Sequence, residues 1–423
     1  MLLSRIFPFL IYTGLFLLPN EVYGLVYIPT FDIYLTPYKI IFGTVILFSP
    51  FIGVNRGFAH FTTESILQLI FIELCFISVL VSQNPIRSFA ITLWLPFYFL
   101  LGQTMSRYVK RRPETLRNLL ATLYLAGVLY SLWGLAVLVA YFQGIDLGQY
   151  VGGDINRFLI VRVTSVTGEA NMFGLFLSLV LPIGIAFFLS SRTFSEYAAN
   201  LIGVGILIIA SILTFSRGLW ISMVVMLIMM LITHPTRKRV LGSLTLMLGL
   251  GFITLMLVIG NDVLSPFFNQ RVDDFANMLI GSRAKVWYAA LEEWSWSLPR
   301  ILFGMGQGNF GNWTNYGIYM EDLRGRVGLL HVHNLYVDVL VANGVFGFGV
   351  LVAFLARELV LSWRLLRNKT LEADKCLLVA APFYGLCGIL VVGLSINVLI
   401  TPHIWVALAL NELGRMKDNK NAP

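Results

Sequence analysis

Residues 170–233 read ANMFGLFLSLVLPIGIAFFLSSRTFSEYAANLIGVGILIIASILTFSRGLWISMVVMLIMMLIT. Three apolar runs, 170–190, 199–215 and 218–233, follow one another with Arg192, Glu196 and Arg217 as the only charges among them. A helix needs about 20 apolar residues to cross the hydrocarbon core of a bilayer. A segment this poor in charge has no polar face to turn to water, so its solvent is lipid. The second and third runs meet at Leu213–Trp220 with almost no loop between them, which places Arg217 at a tight turn.

The same reading extends outward along the chain. Further runs centre near 5–19, 38–54, 65–82, 86–106, 116–142, 240–260, 335–362, 376–396 and 399–413. The expected fold class is an all-α integral membrane protein of about twelve transmembrane helices, with a large periplasmic loop between helices 9 and 10. The chain divides accordingly into helices 1–9 over 1–260, a partly helical loop over 261–334, and helices 10–12 with a cytoplasmic tail over 335–423. Of 423 residues, 57% are hydrophobic and 12% charged, where soluble domains carry about a quarter charged residues. The mean hydropathy is +0.79. Arg5 and the apolar run after it have no small-residue cleavage site, and Pro19-Asn20-Glu21 closes the segment as an uncleaved first helix.

The formal charge of +8 does not point to nucleic acid. Clusters such as Arg107, Lys110, Arg111, Arg112 and Arg237, Lys238, Arg239 sit in short gaps between apolar runs, where cytoplasmic loops fix topology. With the N-terminus inside, Asp32, Asp146, Asp154, Asp273 and Asp274 fall outside and both termini are cytoplasmic. Membrane lipids are therefore the surrounding partner. Cys75, Cys376 and Cys387 lie in or beside apolar runs and define no disulfide framework or metal spacing.

Polar residues of the outer side carry the candidate chemistry. Arginine at membrane depth costs at least ~2.5 kcal/mol on insertion scales, so Arg217 faces water, protein or an anion. Arg162, with Glu169 and Asn171 just after it, precedes the sixth helix. Arg283 opens a segment in which Trp287, Leu291, Trp294 and Leu298 keep the spacing of one helix face. With Trp296 close by, that helix lies either at the outer membrane surface or in the core of a small loop domain. Guanidinium groups offer bidentate donors suited to phosphate oxygens. His331-Val332-His333-Asn334 stands where the outer loop runs into the tenth helix. A histidine there suits proton abstraction from a sugar hydroxyl; a zinc site would need a third ligand, and a structural role is the plainer alternative. Gly306-Gln307-Gly308-Asn309-Phe310-Gly311 spells GxGxxG, but a dinucleotide fingerprint must follow a strand and open a helix. A glycine-rich turn is expected instead.

At these residues the chain resembles the O-antigen ligase and polymerase superfamily. Ligases of that family carry a His-[Asn/Ser/Gln]-x9-Gly-x2-Gly pattern, met here by His333-Asn334, nine residues, Gly344 and Gly347. Ser216-Arg217-Gly218 resembles the family's Ser-Arg-Gly turn. Arg283 with Trp287, then Leu298-Pro299 and Gly304-Met305-Gly306-Gln307-Gly308, resembles its loop segment; Arg162 to Asn171 matches more loosely. The resemblance implies a fold akin to membrane glycosyltransferases with lipid-linked donors. It implies transfer of a glycan from an undecaprenyl-diphosphate carrier to an acceptor hydroxyl on the periplasmic face of the bacterial inner membrane, without metal or cofactor. The acceptor would be lipid A core in a ligase, another glycan repeat in a polymerase, or a protein serine. His333 would be the base, Arg217, Arg162 and Arg283 would hold the diphosphate, and Glu169, His331 and Asn334 would support them. A small-anion transporter is the rival from another class; transporters place substrate groups near the membrane midplane, often between inverted repeats.

Overall fold

The computed structural model describes residues 2–20, 26–28, 33–52, 62–82, 84–145, 147, 162–233, parts of 241–260, 282–309, 320–321, 327–328, 332–367 and 373–419. The helices are α1 (Leu2–Phe16), α2 (Pro37–Phe48), α3 (Thr63–Val81), α4 (Pro85–Thr92), α5 (Trp94–Arg111), α6 (Thr115–Phe142), α7 (Ala170–Leu189), α8 (Phe194–Leu213) and α9 (Arg217–Thr233). They continue as α10 (Ser282–Trp294), α11 (Leu298–Phe303), α12 (Leu335–Arg367), α13 (Ala373–Val392) and α14 (Pro402–Asn419). Two small antiparallel ribbons accompany them, β1 (Val26–Ile28) with β2 (Ile33–Leu35) and β3 (Met320–Glu321) with β4 (Val327–Gly328). Six helical stretches among the described residues are long and apolar enough to cross a membrane: α3, α4 with α5, α6, α7, α8 and α12. Shorter apolar helices lie at Ile6–Phe16, Pro37–Phe48, Arg217–Thr233 and Val379–Val392. The architecture is that of a multi-pass membrane protein.

A helix apolar all round has no face to show to water and belongs inside a bundle or in lipid. In α7 the residues from Phe173 to Phe188 are all buried, making it the central helix. It packs against α6, α8, α9 and, most extensively, α13. Small residues permit the close approach. A Cβ on Gly203 would fall 2.1 Å from Tyr124 Oη, and one on Gly388 would fall 2.7 Å from Met226 Sδ. Without a hydrophobic drive between helices in lipid, such tight packing supplies much of the association. Side chains such as Leu80, Leu47 and Phe9 are exposed on the outside of the bundle, as a lipid-facing surface requires.

Three expected elements differ in form. The run 86–106 is two helices, because Pro96 lacks an N–H and its ring crowds the carbonyl of Thr92 four residues back, while Asn84 Oδ1 accepts from Arg87 N to start α4. The run 376–396 stops as a helix at Val392, and residues 393–401 form a largely buried, non-helical connection to α14. The run 335–362 extends to Arg367 but breaks at Gly344 (φ 67°, ψ −174°). This helix also carries charge in its second half: Arg357 Nε donates to Glu64 Oε1 at 2.7 Å, and Glu358 Oε2 accepts from Asn411 Nδ2 at 3.2 Å.

The Gly344 break joins the bundle to the outer segment. With the helix interrupted, the carbonyls of Val341 and Ala342 accept from Met305 N and Gly306 N, each at 2.9 Å. The two backbones touch so closely that a Cβ on Gly344 would lie 2.3 Å from the Leu302 carbonyl, and one on Gly304 2.1 Å from the Ala342 oxygen. Gly304, Gly306 and Gly308 all have positive φ. The GxGxxG spelling thus begins in a glycine-rich turn that follows helix α11, as expected.

Candidate functional site

Three helices begin at one end of the bundle, each with a left-handed residue two positions before its first helical residue. Gly168 (φ 68°) precedes α7, Phe215 (φ 50°) precedes α9 and His333 (φ 49°) precedes α12. The amide groups of a helix start point outward with partial positive charge. Anions are stabilised at such positions. Of the polar candidates of the sequence, Glu169, Arg217, His333 and Asn334 stand at these same three starts.

At the first two starts, Asn171 is the hub. Its Oδ1 accepts from Arg162 Nη2 at 3.2 Å and from Ser216 Oγ at 3.1 Å, while its Nδ2 donates to Glu169 Oε1 at 3.3 Å. Arg162 Nε also donates to the Thr214 carbonyl at 2.7 Å, and Val163 N donates to the Leu213 carbonyl at 3.0 Å. Arg162 therefore ties the strand before α7 to the turn that carries Arg217. Two of its N–H donors hold protein atoms, which makes it a brace of that turn as well as a cation. Arg217 is half-buried at the first position of α9, and Glu169 is exposed at the cap of α7.

The third start is built by Asn334. Its Oδ1 accepts from Tyr336 N at 2.9 Å and Val337 N at 3.2 Å, satisfying donors that an uncapped helix leaves open. Asn334 thus has a definite structural task, and His333 beside it is half-buried. On the other side, Trp287 Nε1 donates to the Val332 carbonyl at 2.8 Å. Trp287, Leu291 and Trp294 pack on Val286, Ala290, Met305, Val332 and Val341. Of the two readings of this amphipathic stretch, the described contacts are those of a small loop core seated on α12. Leu298 does not share it: α10 ends at Trp294, Pro299 starts α11, and Leu298 and Trp296 are exposed. Arg283 lies in α10 one turn before Trp287; its side chain, like all of His331, is outside the described residues.

What brings the α9 and α12 starts together is residues 390–397, of which sequence reasoning placed 390–396 in a helix. Asn334 Nδ2 donates to the Leu394 carbonyl at 3.3 Å, Leu335 N to the Gly393 carbonyl at 2.7 Å, and Tyr336 Oη to the Leu390 carbonyl at 2.9 Å. Asn397 Nδ2 donates to Asp338 Oδ2 at 2.5 Å. From the other side, a Cβ on Gly218 would fall 2.3 Å from Ser395 Oγ, and one on Gly174 3.4 Å from Ser216 Oγ. The Arg217 and His333 segments therefore rest on one buried connection, and Arg162 joins them through Thr214 and Asn171. Asn171, Ser395, Asp338 and Asn397 were missed as site-building residues. Asn171 was visible as a polar residue opening an apolar run; the others carry no local signal.

The fold and this cluster define a class: a helical, multi-pass membrane protein with a cationic, histidine-bearing site at one end of its bundle. Residues 202–352 match the family model described as O-antigen ligase, so this stretch is similar to that family. The matched stretch contains Arg217, Arg283, His331, His333 and Asn334, whereas Arg162 and Glu169 precede it. No match is found among curated proteins.

Proposed function

We propose that this protein transfers a glycan from undecaprenyl diphosphate to an acceptor hydroxyl at the periplasmic face of a bacterial inner membrane. The observation that carries the reading is the meeting of the Arg217 and His333 helix starts on residues 390–397, with Arg162 braced against the Arg217 turn. A diphosphate leaving group gains negative charge as the glycosidic bond breaks. Fixed cations and helix-start amides aimed at that charge supply the electrostatic stabilisation that usually dominates such reactions. In this reading Arg217 and Arg283 hold the diphosphate, Arg162 adds charge while bracing the Arg217 turn, and His333 takes the proton of the attacking hydroxyl. Glu169 supports the arginine side, Asn334 fixes the backbone at His333, and His331 lies two residues upstream as a supporting group. The reaction as proposed draws on side chains and helix starts, without metal or cofactor.

Twelve spans with both termini in the cytoplasm would place all these segments on the outer side, with 261–334 as the periplasmic loop. The description O-antigen ligase and the pattern of His333, Asn334, Gly344 and Gly347 support a ligase over a polymerase joining glycan repeats, and we take lipid A core as the acceptor. A small-anion transporter fits less well, because the candidates gather at helix ends rather than at mid-depth.

The test is transfer by purified protein from an undecaprenyl-diphosphate-linked donor, with chelator present and lipid A core and free donor as competing acceptors. His333 has a left-handed backbone, which asparagine tolerates better than alanine, so His333→Asn is run beside His333→Ala. Chelator-resistant transfer that is lost in both variants is expected, and the labelled product distinguishes ligase from polymerase. Full transfer by His333→Asn would overturn the assignment of the base. Anion flux in proteoliposomes without any glycosylated product would favour the transporter.

A further inference from the structure

Asp338 is a carboxylate within the first turn of a membrane-spanning helix, and no part of the proposed reaction uses it. An ionisable side chain inside a membrane segment is costly and is retained for a function or paired. Its position at a helix start favours the negative charge, and its hydrogen-bond partner is Asn397, from the non-helical connection after α13. Three further hydrogen bonds from the start of α12 are accepted by backbone carbonyls at the end of α13 and in that connection: Leu390, Gly393 and Leu394. Asp338–Asn397 adds a bond from side chain to side chain. The same connection carries Ser395, against which Gly218 and hence the Arg217 turn are packed. One rigid piece thus touches the Arg217 side through Ser395 and the His333 side through Asn397.

We propose that Asp338 and Asn397 are positioning residues: their bond locks the 393–401 connection to the first turn of α12 and thereby fixes His333 relative to Arg217. This rests on the proposed transfer reaction. A base and the cations for the leaving group must stand at a set separation, and a misplacement of about 1 Å can cost on the order of 10²-fold in rate. Neither residue touches donor or acceptor. Their effect is on the geometry of those that do.

The experiment compares Asp338→Ala, Asp338→Asn, Asn397→Asp and the exchanged pair Asp338→Asn with Asn397→Asp, in the full-length protein. Asn397→Asp sets two carboxylates face to face, whereas the exchanged pair restores one carboxylate opposite one amide. Asp338→Ala and Asn397→Asp are expected to lower kcat by about 10²-fold with little change in KM. Asp338→Asn, which keeps the hydrogen bond but not the charge, should fall between them and wild type. The exchanged pair should recover most of the activity. A second readout needs no transfer: the distance between spin labels at Val224 in α9 and Val345 in α12, with the native cysteines replaced. Both positions are exposed. The distribution should broaden in Asp338→Ala and Asn397→Asp and narrow again in the exchanged pair.

Wild-type kcat in the single variants, or an unchanged label distance, would overturn the proposal. So would a melting temperature that falls in step with kcat and is not restored by the exchange, which would reduce the pair to a packing contact. If wild-type protein transfers no glycan to any acceptor, the functional reading fails and the label distances alone decide the positioning role.

Discussion

Gly218 and Ser395 lie in such close contact that a Cβ on the glycine would stand 2.3 Å from the serine oxygen. The residue beside Arg217 is thereby pressed against the connection that also holds Asn334. Gly218→Ala should force the two apart. Overpacking of this kind costs about 1–3 kcal/mol, read as a lowered melting temperature in detergent, together with loss of transfer. Ser395→Ala added to it removes the offending oxygen and should recover much of both. A Gly218→Ala protein with wild-type stability would show that the contact relaxes freely.

The joint at Gly344 predicts a larger effect. Its φ is 67°, and a Cβ there would meet the Leu302 backbone at 2.3 Å, where no side-chain rotation relieves the clash. Gly344→Ala should separate the 302–306 segment from α12 and cost at least about 3 kcal/mol. Hydrogen exchange at Met305 and Gly306, whose amides bond to Val341 and Ala342, would report the separation directly.

Asn171 links both arginine segments, so its removal should act at a distance. Asn171→Ala leaves Arg162 and Ser216 without their shared acceptor. A lost hydrogen bond to a charged donor costs about 1.5–3 kcal/mol. Arg162→Lys should fail similarly, since an ammonium cannot reach Thr214 and Asn171 together as the planar guanidinium does. Transfer assays on the two variants should show comparable losses. A fully active Arg162→Lys would restrict Arg162 to its charge.

Trp287→Phe keeps the ring contacts of the loop core but removes the donor to the Val332 carbonyl, beside His333. The expected loss is about 1 kcal/mol, seen as faster proteolysis of the 282–303 region rather than as unfolding of the bundle.

Glu293 gives the loop a pH dependence. Burial pushes its carboxyl up to about 7, with Arg300 working against the shift and Glu292 adding to it. Its Oε2 has no hydrogen-bond partner among the described residues. The folded loop therefore holds this proton more tightly than the unfolded chain. The associated stability is fully present below the ordinary glutamate value of 4.5 and is lost as pH rises through about 7. Hydrogen exchange in α10, corrected for the intrinsic chemical rate, should accelerate between about pH 4.5 and 7 and become flat in Glu293→Gln. An equal acceleration in the variant would assign the effect elsewhere.

The sequence by itself determined the solvent, the class and the chemical vocabulary of this protein. Apolar runs such as 170–190 and 199–215 can only be membrane helices, because burial of apolar surface and satisfaction of the backbone are local demands that each run meets alone. Arg162, Arg217 and His333 stood out for the same local reason, as polar groups where such runs begin. Helix ends and breaks were less legible. The run to residue 396 is almost entirely apolar, and Gly393 alone marks Val392 locally as the last helical residue. Asp338 reads as one more acid near a helix end, and Ser395 and Asn397 as unremarkable polar residues. Their importance comes from pairing over long separations: Asn397 with Asp338, Ser395 with Gly218, Leu394 with Asn334. Hydrogen bonds and close contacts between residues tens to hundreds of positions apart depend on how helices pack, which no local pattern encodes. Only the tertiary structure could decide that the helix starts carrying Arg217 and His333 share one buried support, with Arg162 tied to the first of them.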